Sequence, residues 1–410
     1  MFDVVIIGAG PAGSHTARRL GELGYRVVVV EEHKQIGEPA CCTGILGKDC
    51  LDEFPIPPEL IWLKTGTARF YTPSGSSFTL SKEPAQAYIL DRVGLDRALA
   101  VRAEKAGVEY LLHNKAHEIT WKNTGVEVTL KNGGPPTKLE AKAAVLACGP
   151  SNLLARGLGW GDIGDWVLGA QAEVELKGAP EVEVYMGQNI APGFFAWLVP
   201  TTPGMALAGL LCRQNPAGRI KTFLDKLCKD GKIQTPQVKI SYGRVPLQPR
   251  QKTYGNRLLA VGDAAGQVKP TTAGGIYYGF LGAEIAADVL HQALQRNDFS
   301  SQFLSRYQRE WKKRLGKELR VGYWARRYYE TLNDKQIEDV VNHLRNSGFL
   351  QSVYQSQEFS FDWHSIAIIK TLGAKALPHL LKTLAGSLMP GNRRRKSKGG
   401  DGEEVGETVE

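Results

Sequence analysis

A glycine-rich turn near the start of the chain constrains the fold more than any other feature. The apolar run Val4 to Ile7 leads into Gly8-Ala9-Gly10-Pro11-Ala12-Gly13, and a helical pattern follows. In a βαβ unit Gly8 permits the tight turn, Gly10 the close approach of a pyrophosphate, and Gly13 close packing of helix on strand. Glu31, at the end of the next apolar run, is placed to accept hydrogen bonds from a ribose. The sequence therefore predicts a dinucleotide site containing Gly8, Gly10, Pro11, Ala12, Gly13 and Glu31.

A second motif lies far along the chain. The apolar run Arg257 to Val261 is followed by Gly262-Asp263, and Gly274-Gly275 precede a predicted helix. This arrangement resembles the Gly-Asp motif of the para-hydroxybenzoate hydroxylase class of flavoproteins. The resemblance implies that FAD is the cofactor, that Asp263 holds the ribityl chain, and that Arg92 approaches the pyrophosphate. A helix N-terminus near Gly275 would stabilise the negative charge of a reduced flavin. The cofactor residues expected in this half are Arg92, Gly262, Asp263, Gly274 and Gly275.

Two further stretches narrow the resemblance to one family. Cys41-Cys42-Thr43-Gly44 resembles the C-x-x-G motif of the geranylgeranyl reductase family, and the stretch from Pro192 to Pro200 resembles its Y-x-W-x-F-P signature. Phe195 stands where that family prefers Tyr, and Val199 stands where it prefers Phe. The resemblance implies that Cys41 and Trp197 are catalytic and that Phe195, Trp197 and Val199 line a prenyl pocket. Alternatively, Cys41 is a small buried hydrophobe and Trp197 a core aromatic residue.

The activity that this resemblance implies is saturation of C=C double bonds in geranylgeranyl or other prenyl chains. Such a substrate is a lipid, a prenyl quinone or a chlorophyll precursor. Because an unactivated alkene offers no carbonyl to polarise, we expect alignment in a dry slot to dominate catalysis. Cys41, Tyr277 and Tyr278 are candidate proton relays.

NADPH, ferredoxin and reduced quinone all remain open as the reductant, and an electron donor protein is one of the expected partners. An FAD-dependent monooxygenase of the same fold and a membrane-associated flavoprotein that passes electrons to quinone are alternative functions.

The pattern of strands and helices predicts an α/β (α+β) protein. We expect a Rossmann-like FAD-binding domain interleaved with an antiparallel-sheet substrate domain, followed by a helical C-terminal region. The predicted segments are an FAD-binding part with inserted hairpins (1–165), a substrate part (166–250), a return to the first domain (251–298), a helical region (299–391) and a disordered tail (392–410).

Charge and composition limit the classes of partner. The 410 residues carry a net charge of +9, with six cysteines that lack metal-binding spacing, so we expect no metal site. The chain begins with a strand rather than a leader, which favours a cytoplasmic location. A basic chain favours acidic partners, but no nucleic-acid recognition motif is present. We therefore expect a prenylated substrate and no nucleic acid.

The C-terminal stretch indicates a contact with the inner face of the membrane. Leucines recur at helical spacing between Leu377 and Leu388, and Lys370, Lys375, Lys382 and the run Arg393 to Lys398 add positive charge. An amphipathic basic helix of this kind binds anionic lipid surfaces. The alternative is a helix packed on the body of the protein, followed by a solvated tail.

Overall fold

The computed structural model of the protein describes residues 1–369 with the exception of residues 152, 358 and 366. The predicted leucine stripe (377–388), the lysines at 370, 375 and 382, the basic run (393–398) and the predicted disordered tail (392–410) lie outside the described residues. Among the residues described, no helix combines the length and the apolar character needed to cross a bilayer.

The strands and helices have the following bounds. The strands are β1 (Phe2–Ile7), β2 (Val27–Val30), β3 (Ile45–Gly47), β4 (Ile61–Thr65), β5 (Thr67–Tyr71), β6 (Ser77–Ser81), β7 (Ala87–Leu90), β8 (Glu109–Leu111), β9 (Lys115–Trp121), β10 (Val126–Lys131), β11 (Thr137–Leu146), β12 (Trp166–Glu175), β13 (Glu183–Met186), β14 (Phe195–Pro200), β15 (Met205–Cys212), β16 (Ile240–Pro246), β17 (Tyr254–Gly255) and β18 (Leu258–Ala260). The helices are α1 (Pro11–Glu22), α2 (Lys48–Glu53), α3 (Arg92–Lys105), α4 (Leu153–Gly157), α5 (Pro216–Lys229), α6 (Ile276–Arg296), α7 (Ser301–Glu330), α8 (Asp334–Asn346) and α9 (Phe349–Gln355).

The first sheet has the strand order β17-β18-β11-β1-β2-β8, which is parallel from β18 to β8 and antiparallel between β17 and β18, and the antiparallel strands β10 and β9 extend from β11. The central strand β1 pairs in parallel with both β2 and β11, and the late strand β18 pairs in parallel with β11. Helices α1, α3, α6 and α7 bury one face, whereas β9, β10 and α4 cover the other. A sheet buried on both faces requires apolar residues at successive positions, which explains the unbroken apolar run of β1.

The second sheet has the order β16-β12-β15-β14-β13-β5-β6 and is antiparallel at every pair except β13 with β5. Amphipathic helix α5 packs on one face through Ile220, Phe223, Leu224 and Leu227. The opposite face looks towards the first sheet. These observations confirm the predicted fold class, a Rossmann-like unit combined with an antiparallel sheet and followed by helices.

The hairpin β5–β6 belongs to the second sheet. The sequence predicted this hairpin as an insertion within the FAD-binding segment 1–165, but β5 pairs in parallel with β13, with Arg69 opposite Glu183. Parallel pairing joins strands that are far apart in sequence, and no local pattern reports it. The domain boundaries at 165, 250 and 298 remain predictions.

Candidate cofactor and substrate site

A large cavity lies between the first and second sheets. It has a volume of about 1450 Å³ and is lined by the first glycine-rich turn, the Gly262-Asp263 motif, the Cys41 loop and the inner face of the second sheet. The upper range for pockets that hold one drug-sized ligand is about 1,000 Å³. This cavity therefore has room for a dinucleotide and for part of a second molecule.

The glycine-rich turn has the geometry that the sequence predicted. Gly8 has φ +109°, and a Cβ there would lie 2.4 Å from the carbonyl oxygen of Ala147. A Cβ at Gly13 would lie 2.1 Å from the carbonyl oxygen of Gly8, so helix and strand touch at this point. At Gly10 a Cβ would meet nothing within 4 Å. Gly8, Gly10, Pro11 and Ala12 line the cavity, while Gly13 packs behind it. Gly10 thus faces open space in front of the N-terminus of α1, where a phosphate is favoured.

Glu31 lies beside this turn and also lines the cavity. Its Oε2 accepts a hydrogen bond from the Ala9 N–H at 2.8 Å, and its Oε1 accepts from the His33 N–H at 3.0 Å. These backbone donors fix the carboxylate at the end of β2. The His33 ring Nδ1 also contacts Oε1, at 2.6 Å, so it is Oε2 whose second lone pair retains the capacity to accept from a ribose hydroxyl.

The Gly262-Asp263 motif lines the cavity next to the first glycine-rich turn. Gly262 has φ +62°, and a Cβ there would lie 2.9 Å from the Ala12 Cβ, so the two motifs are in direct contact. Burial raises the pKa of Asp263 to about 6, although Arg92 opposes this shift. The hydroxyl of Thr272 is buried at the cavity wall, and no described residue forms a hydrogen bond with it. Gly274 and Gly275 line the wall just before α6 begins at Ile276.

Arg92 begins α3 and projects into the same part of the cavity. Its Nη2 donates to Asp96 at 2.9 Å. Burial by itself lowers the pKa of the guanidinium, but Cys42 and the Asp96 carboxylate raise it above its ordinary value. Arg92 therefore remains positively charged at the cavity wall, where an anionic group would be stabilised.

The Cys41 loop follows β2 of the first sheet and contacts the second sheet. Thr43 Oγ1 donates to Gln171 Oε1 of β12 at 2.8 Å, which anchors the loop. Gly243 of β16 lies under Cys41, since a Cβ there would approach the Cys41 sulfur at 3.4 Å. Burial raises the pKa of the Cys41 thiol, with a smaller contribution from Cys42. Cys41 is thus a protonated thiol at neutral pH on the wall of the cavity.

Strand β14 presents alternate side chains to the cavity. Phe195, Trp197 and Val199 all line it, whereas Ala196 and Leu198 pack in the core on the other side. The Trp197 ring lies on Gly209 of β15, where a Cβ would be only 2.4 Å from the ring atom Cζ2. Its indole Nε1 is buried and has no hydrogen-bond partner among the described residues. The three predicted substrate residues therefore share one apolar wall that carries an unused hydrogen-bond donor.

The two tyrosines considered as proton relays lie elsewhere. The Tyr277 hydroxyl donates to Glu53 Oε2 at 2.7 Å, and the Tyr278 hydroxyl donates to the Asp362 carbonyl at 3.0 Å. As far as the structure describes it, the cavity wall includes their neighbours Ile276 and Gly279 but neither tyrosine. The prediction of a relay through Tyr277 or Tyr278 is wrong because this turn of α6 points them into the core.

A C-terminal segment contributes wall residues that the sequence did not indicate. Phe359, Phe361 and His364 line the cavity. The His364 ring bonds the Phe361 carbonyl through Nε2 at 2.7 Å and the Thr271 hydroxyl through Nδ1 at 2.6 Å. Burial lowers the pKa of His364 to about 3, helped by the positive charge of Lys269. Because a carbonyl only accepts, the proton is on Nε2, and His364 is a neutral acceptor that orients Thr271.

These residues fit FAD. Open space at Gly10 accommodates a pyrophosphate, Glu31 and Asp263 offer two carboxylates on the cavity wall, and Thr272 and Trp197 supply buried polar atoms that have no partner among the described residues. Buried polar groups without partners are rare in native proteins and mark sites that a ligand completes.

Comparisons with known proteins agree with this geometry. Residues 2–159 match the pyridine nucleotide-disulphide oxidoreductase family. The digeranylgeranylglycerophospholipid reductase 2 of Methanothermobacter thermautotrophicus is 30% identical, over 84% of this chain and 91% of the relative. The digeranylgeranylglycerophospholipid reductase of Methanocaldococcus jannaschii is 28% identical, over 85% and 91%. A crystal structure of a geranylgeranyl bacteriochlorophyll reductase-like protein from Thermoplasma acidophilum superposes with a TM-score of 0.81 at 25% identity, covering 94% of this chain and 98% of that one. This chain belongs to the geranylgeranyl reductase family of FAD-dependent oxidoreductases.

Proposed function

We propose that this protein saturates C=C double bonds in the geranylgeranyl or related prenyl chains of a lipid. The observation that carries the proposal is the continuity of the cavity. One space of about 1450 Å³ connects the FAD-binding motifs with the apolar wall formed by Phe195, Trp197 and Val199. A prenyl chain in this space would lie directly against the flavin half of the cofactor.

In this function the first sheet holds the cofactor. Gly8, Gly10 and the N-terminus of α1 would receive the pyrophosphate, with Arg92 supplying positive charge. Asp263 would accept hydrogen bonds from ribityl hydroxyls, and Gly274-Gly275 would let the start of α6 approach the flavin. Reduced FAD, when bound, supplies the hydride for one alkene carbon.

The second sheet and the Cys41 loop would orient the alkene and exclude water. The apolar side chains on β14 would align a prenyl chain through van der Waals contact. The other alkene carbon needs a proton, and Cys41 carries one at neutral pH because burial raises the pKa of its thiol. We assign the role of proton donor to Cys41 and the role of aligning wall to Trp197.

The finer partners are part of the same proposal. Relatives whose names specify glycerophospholipids make a phospholipid-linked prenyl chain the first substrate class to test. Such a substrate resides in membranes, so we place the protein at the inner membrane face, where its basic C-terminal stretch (370–398) would contact anionic lipid. NADPH, ferredoxin and reduced quinone are the reductants to compare.

An anaerobic single-turnover experiment tests the function. The purified protein, reduced with dithionite, is mixed with geranylgeranylated phospholipid, and flavin reoxidation is followed together with the mass of the lipid. The expected result is reoxidation coupled to a gain of about two mass units for each saturated bond. The matched control is the same lipid with fully saturated chains, which leaves the flavin reduced.

Two other outcomes would replace the proposal. Oxygen-dependent consumption of NADPH that the lipid stimulates, with a gain of one oxygen atom in the product, would establish a monooxygenase. Rapid reoxidation by quinone with no change in the lipid would establish an electron-transfer flavoprotein.

A further inference from the structure

One arginine on the cavity wall has no hydrogen-bond partner among the residues that the structure describes. Arg326, in the last part of α7, is 5% exposed and lines the cavity. Its Nε, Nη1 and Nη2 atoms are all buried, and no described residue offers them an acceptor. A guanidinium has five N–H donors, and leaving them unpaired in a buried place is among the most costly arrangements in a folded protein.

The neighbours of Arg326 compensate for this charge only in part. Its Cζ lies 3.3 Å from the centre of the Phe194 ring, a stacking contact that uses none of the N–H groups. The nearest carboxylate oxygen, Oε2 of Glu330, lies 3.7 Å from Arg326 Nη2. Glu330 instead accepts two hydrogen bonds from Arg213, at 2.7 and 3.0 Å. Burial accordingly lowers the pKa of Arg326 to about 10, and it still carries its charge at neutral pH.

Arg326 lies near the loop before α6, which the proposed function places beside the flavin. It follows Gly322 by four residues, one helical turn or about 6 Å along the axis of α7. At Gly322 the helix touches the loop before α6, since a Cβ there would lie 3.3 Å from the Pro270 Cδ. Arg326 therefore lies one helical turn from the loop 266–275 that precedes α6, called the flavin-side loop below. It contacts Phe194 and lies at the edge of the apolar wall that contains Phe195.

We propose that Arg326 binds the phosphate of the substrate and thereby selects prenyl chains that carry a phosphate group. The planar guanidinium pairs with two oxygens of a phosphate, and such charge-assisted pairs are stronger in a site that excludes water. The assignment of a prenyl chain to this phosphate rests on the proposed function. Inorganic phosphate shares the same chemistry, so the test includes it.

The first measurement needs no variant. Geranylgeranyl phosphate, geranylgeraniol and inorganic phosphate are each titrated into the oxidised, FAD-loaded protein, and binding is followed through the flavin absorption spectrum and by calorimetry. We expect geranylgeranyl phosphate to bind at least about tenfold more tightly than the alcohol, as hydrogen bonds between charged groups imply. Equal affinities for the phosphate and the alcohol would overturn the proposal. Equal affinities together with calorimetric binding of inorganic phosphate alone would reassign Arg326 to a free anion.

Two variants locate the preference on the residue. In Arg326→Met the affinity for geranylgeranyl phosphate should fall to about that of the alcohol, while affinity for the alcohol changes by less than about threefold. Because an unpaired buried charge is removed, the melting temperature of the ligand-free holoprotein should rise or stay the same, which a purely structural arginine would not allow. Arg326→Lys keeps the charge without the planar fork and should give an intermediate affinity.

Arg327→Met is the matched control, since its side chain is 48% exposed and contacts the same Glu330 at 3.5 Å. It should keep the full preference for phosphate. A loss in Arg327→Met equal to that in Arg326→Met would contradict the proposal. Because binding is measured without turnover, failure of alkene reduction and failure of phosphate selection are separate results.

Discussion

The carboxylate of Asp263 should control cofactor affinity and its dependence on pH. Below about pH 6 the cofactor-free site holds a proton on Asp263, because burial raises its pKa to about 6. Binding of ribityl hydroxyls favours the ionised form, so wild-type affinity for FAD should be full above pH 6 and fall as the pH drops below it. In Asp263→Asn the dissociation constant at about pH 7.5 should rise by about 10- to 100-fold. Equilibrium dialysis of FAD across pH measures both effects.

The matched control is Asp288→Asn, a carboxylate whose side chain is 63% exposed. Its FAD affinity should follow the wild-type curve. A pH dependence that survives unchanged in Asp263→Asn would assign the titration to another group.

Cys41 gives a second prediction about a single side chain. If its thiol supplies the proton, Cys41→Ala should slow lipid saturation by about 100-fold or more, the usual contribution of a general acid. Stopped-flow reduction of the flavin by dithionite should be unaffected. The control is Cys228→Ala, which removes a thiol near the C-terminal end of α5. This thiol donates to the Gln234 carbonyl, and its removal should leave both rates unchanged. Saturation at the wild-type rate in Cys41→Ala would remove the thiol from the mechanism.

Local patterns predicted the residues whose role follows from the backbone. Gly8, Gly10 and Gly262 were found because a strand, a turn and a helix form a contiguous motif. Phe195, Trp197 and Val199 were singled out by the resemblance to the Y-x-W-x-F-P signature, and strand alternation places them on one face of β14. Arg326 and His364 were not found, since a lone arginine or histidine in a helical pattern has no spacing that marks it. Their significance depends on which partners the fold brings near.

Pairing of strands β14 and β15 determines the position of Trp197 in the apolar wall. Trp197 lies directly opposite Gly209, and there is no space for a Cβ between them. Gly209→Ala should therefore displace the indole, lower the free energy of unfolding by about 1–3 kcal/mol, and raise KM for the prenyl lipid while FAD content stays unchanged. Urea unfolding and steady-state kinetics measure these effects. Gly169→Ala on β12 is the control, because its Cβ would make an ordinary 3.5 Å contact with Leu211. A KM change of equal size in both variants would show that the wall does not depend on this pair.

Elements with a strong period were predicted well, whereas contacts distant in sequence were not. The helix predicted after Gly274-Gly275 begins at Ile276 and ends at Arg296. Helix α3 begins at Arg92, because Leu90 ends β7 and the Asp91 side chain accepts a hydrogen bond from the Gly94 N–H as the N-cap. The pairing of β5 with β13 links residues more than a hundred positions apart. No periodicity encodes such a choice of partner.

Three parts of the chain that are distant in sequence meet at a buried ion pair beside the cavity. Lys269, in the flavin-side loop, donates to Asp362 Oδ1 at 3.1 Å, and Asp362 Oδ2 accepts from the Cys50 N–H of α2 at 3.2 Å. The side chains of the pair are 6% and 0% exposed. This contact joins the N-terminal body, the loop before α6 and the segment that carries Phe361 and His364. It was not visible in the sequence because its members are 93 and 312 residues apart.

Removing one partner of this pair should destabilise the whole protein. Asp362→Ala leaves the buried Lys269 ammonium without a carboxylate, although its bond to the Phe361 carbonyl at 3.1 Å remains, and we expect a loss of about 3–5 kcal/mol in the free energy of unfolding. The double variant Lys269→Met with Asp362→Ala should lose less than the single variant, because no charge is left unpaired. Asp52→Ala breaks an exposed pair with Lys48 and should cost less than about 1 kcal/mol. Urea unfolding of the four proteins, wild type included, measures the differences. A double variant as unstable as Asp362→Ala would mean that the Cys50 contact, rather than the ion pair, holds the C-terminal segment against the cavity.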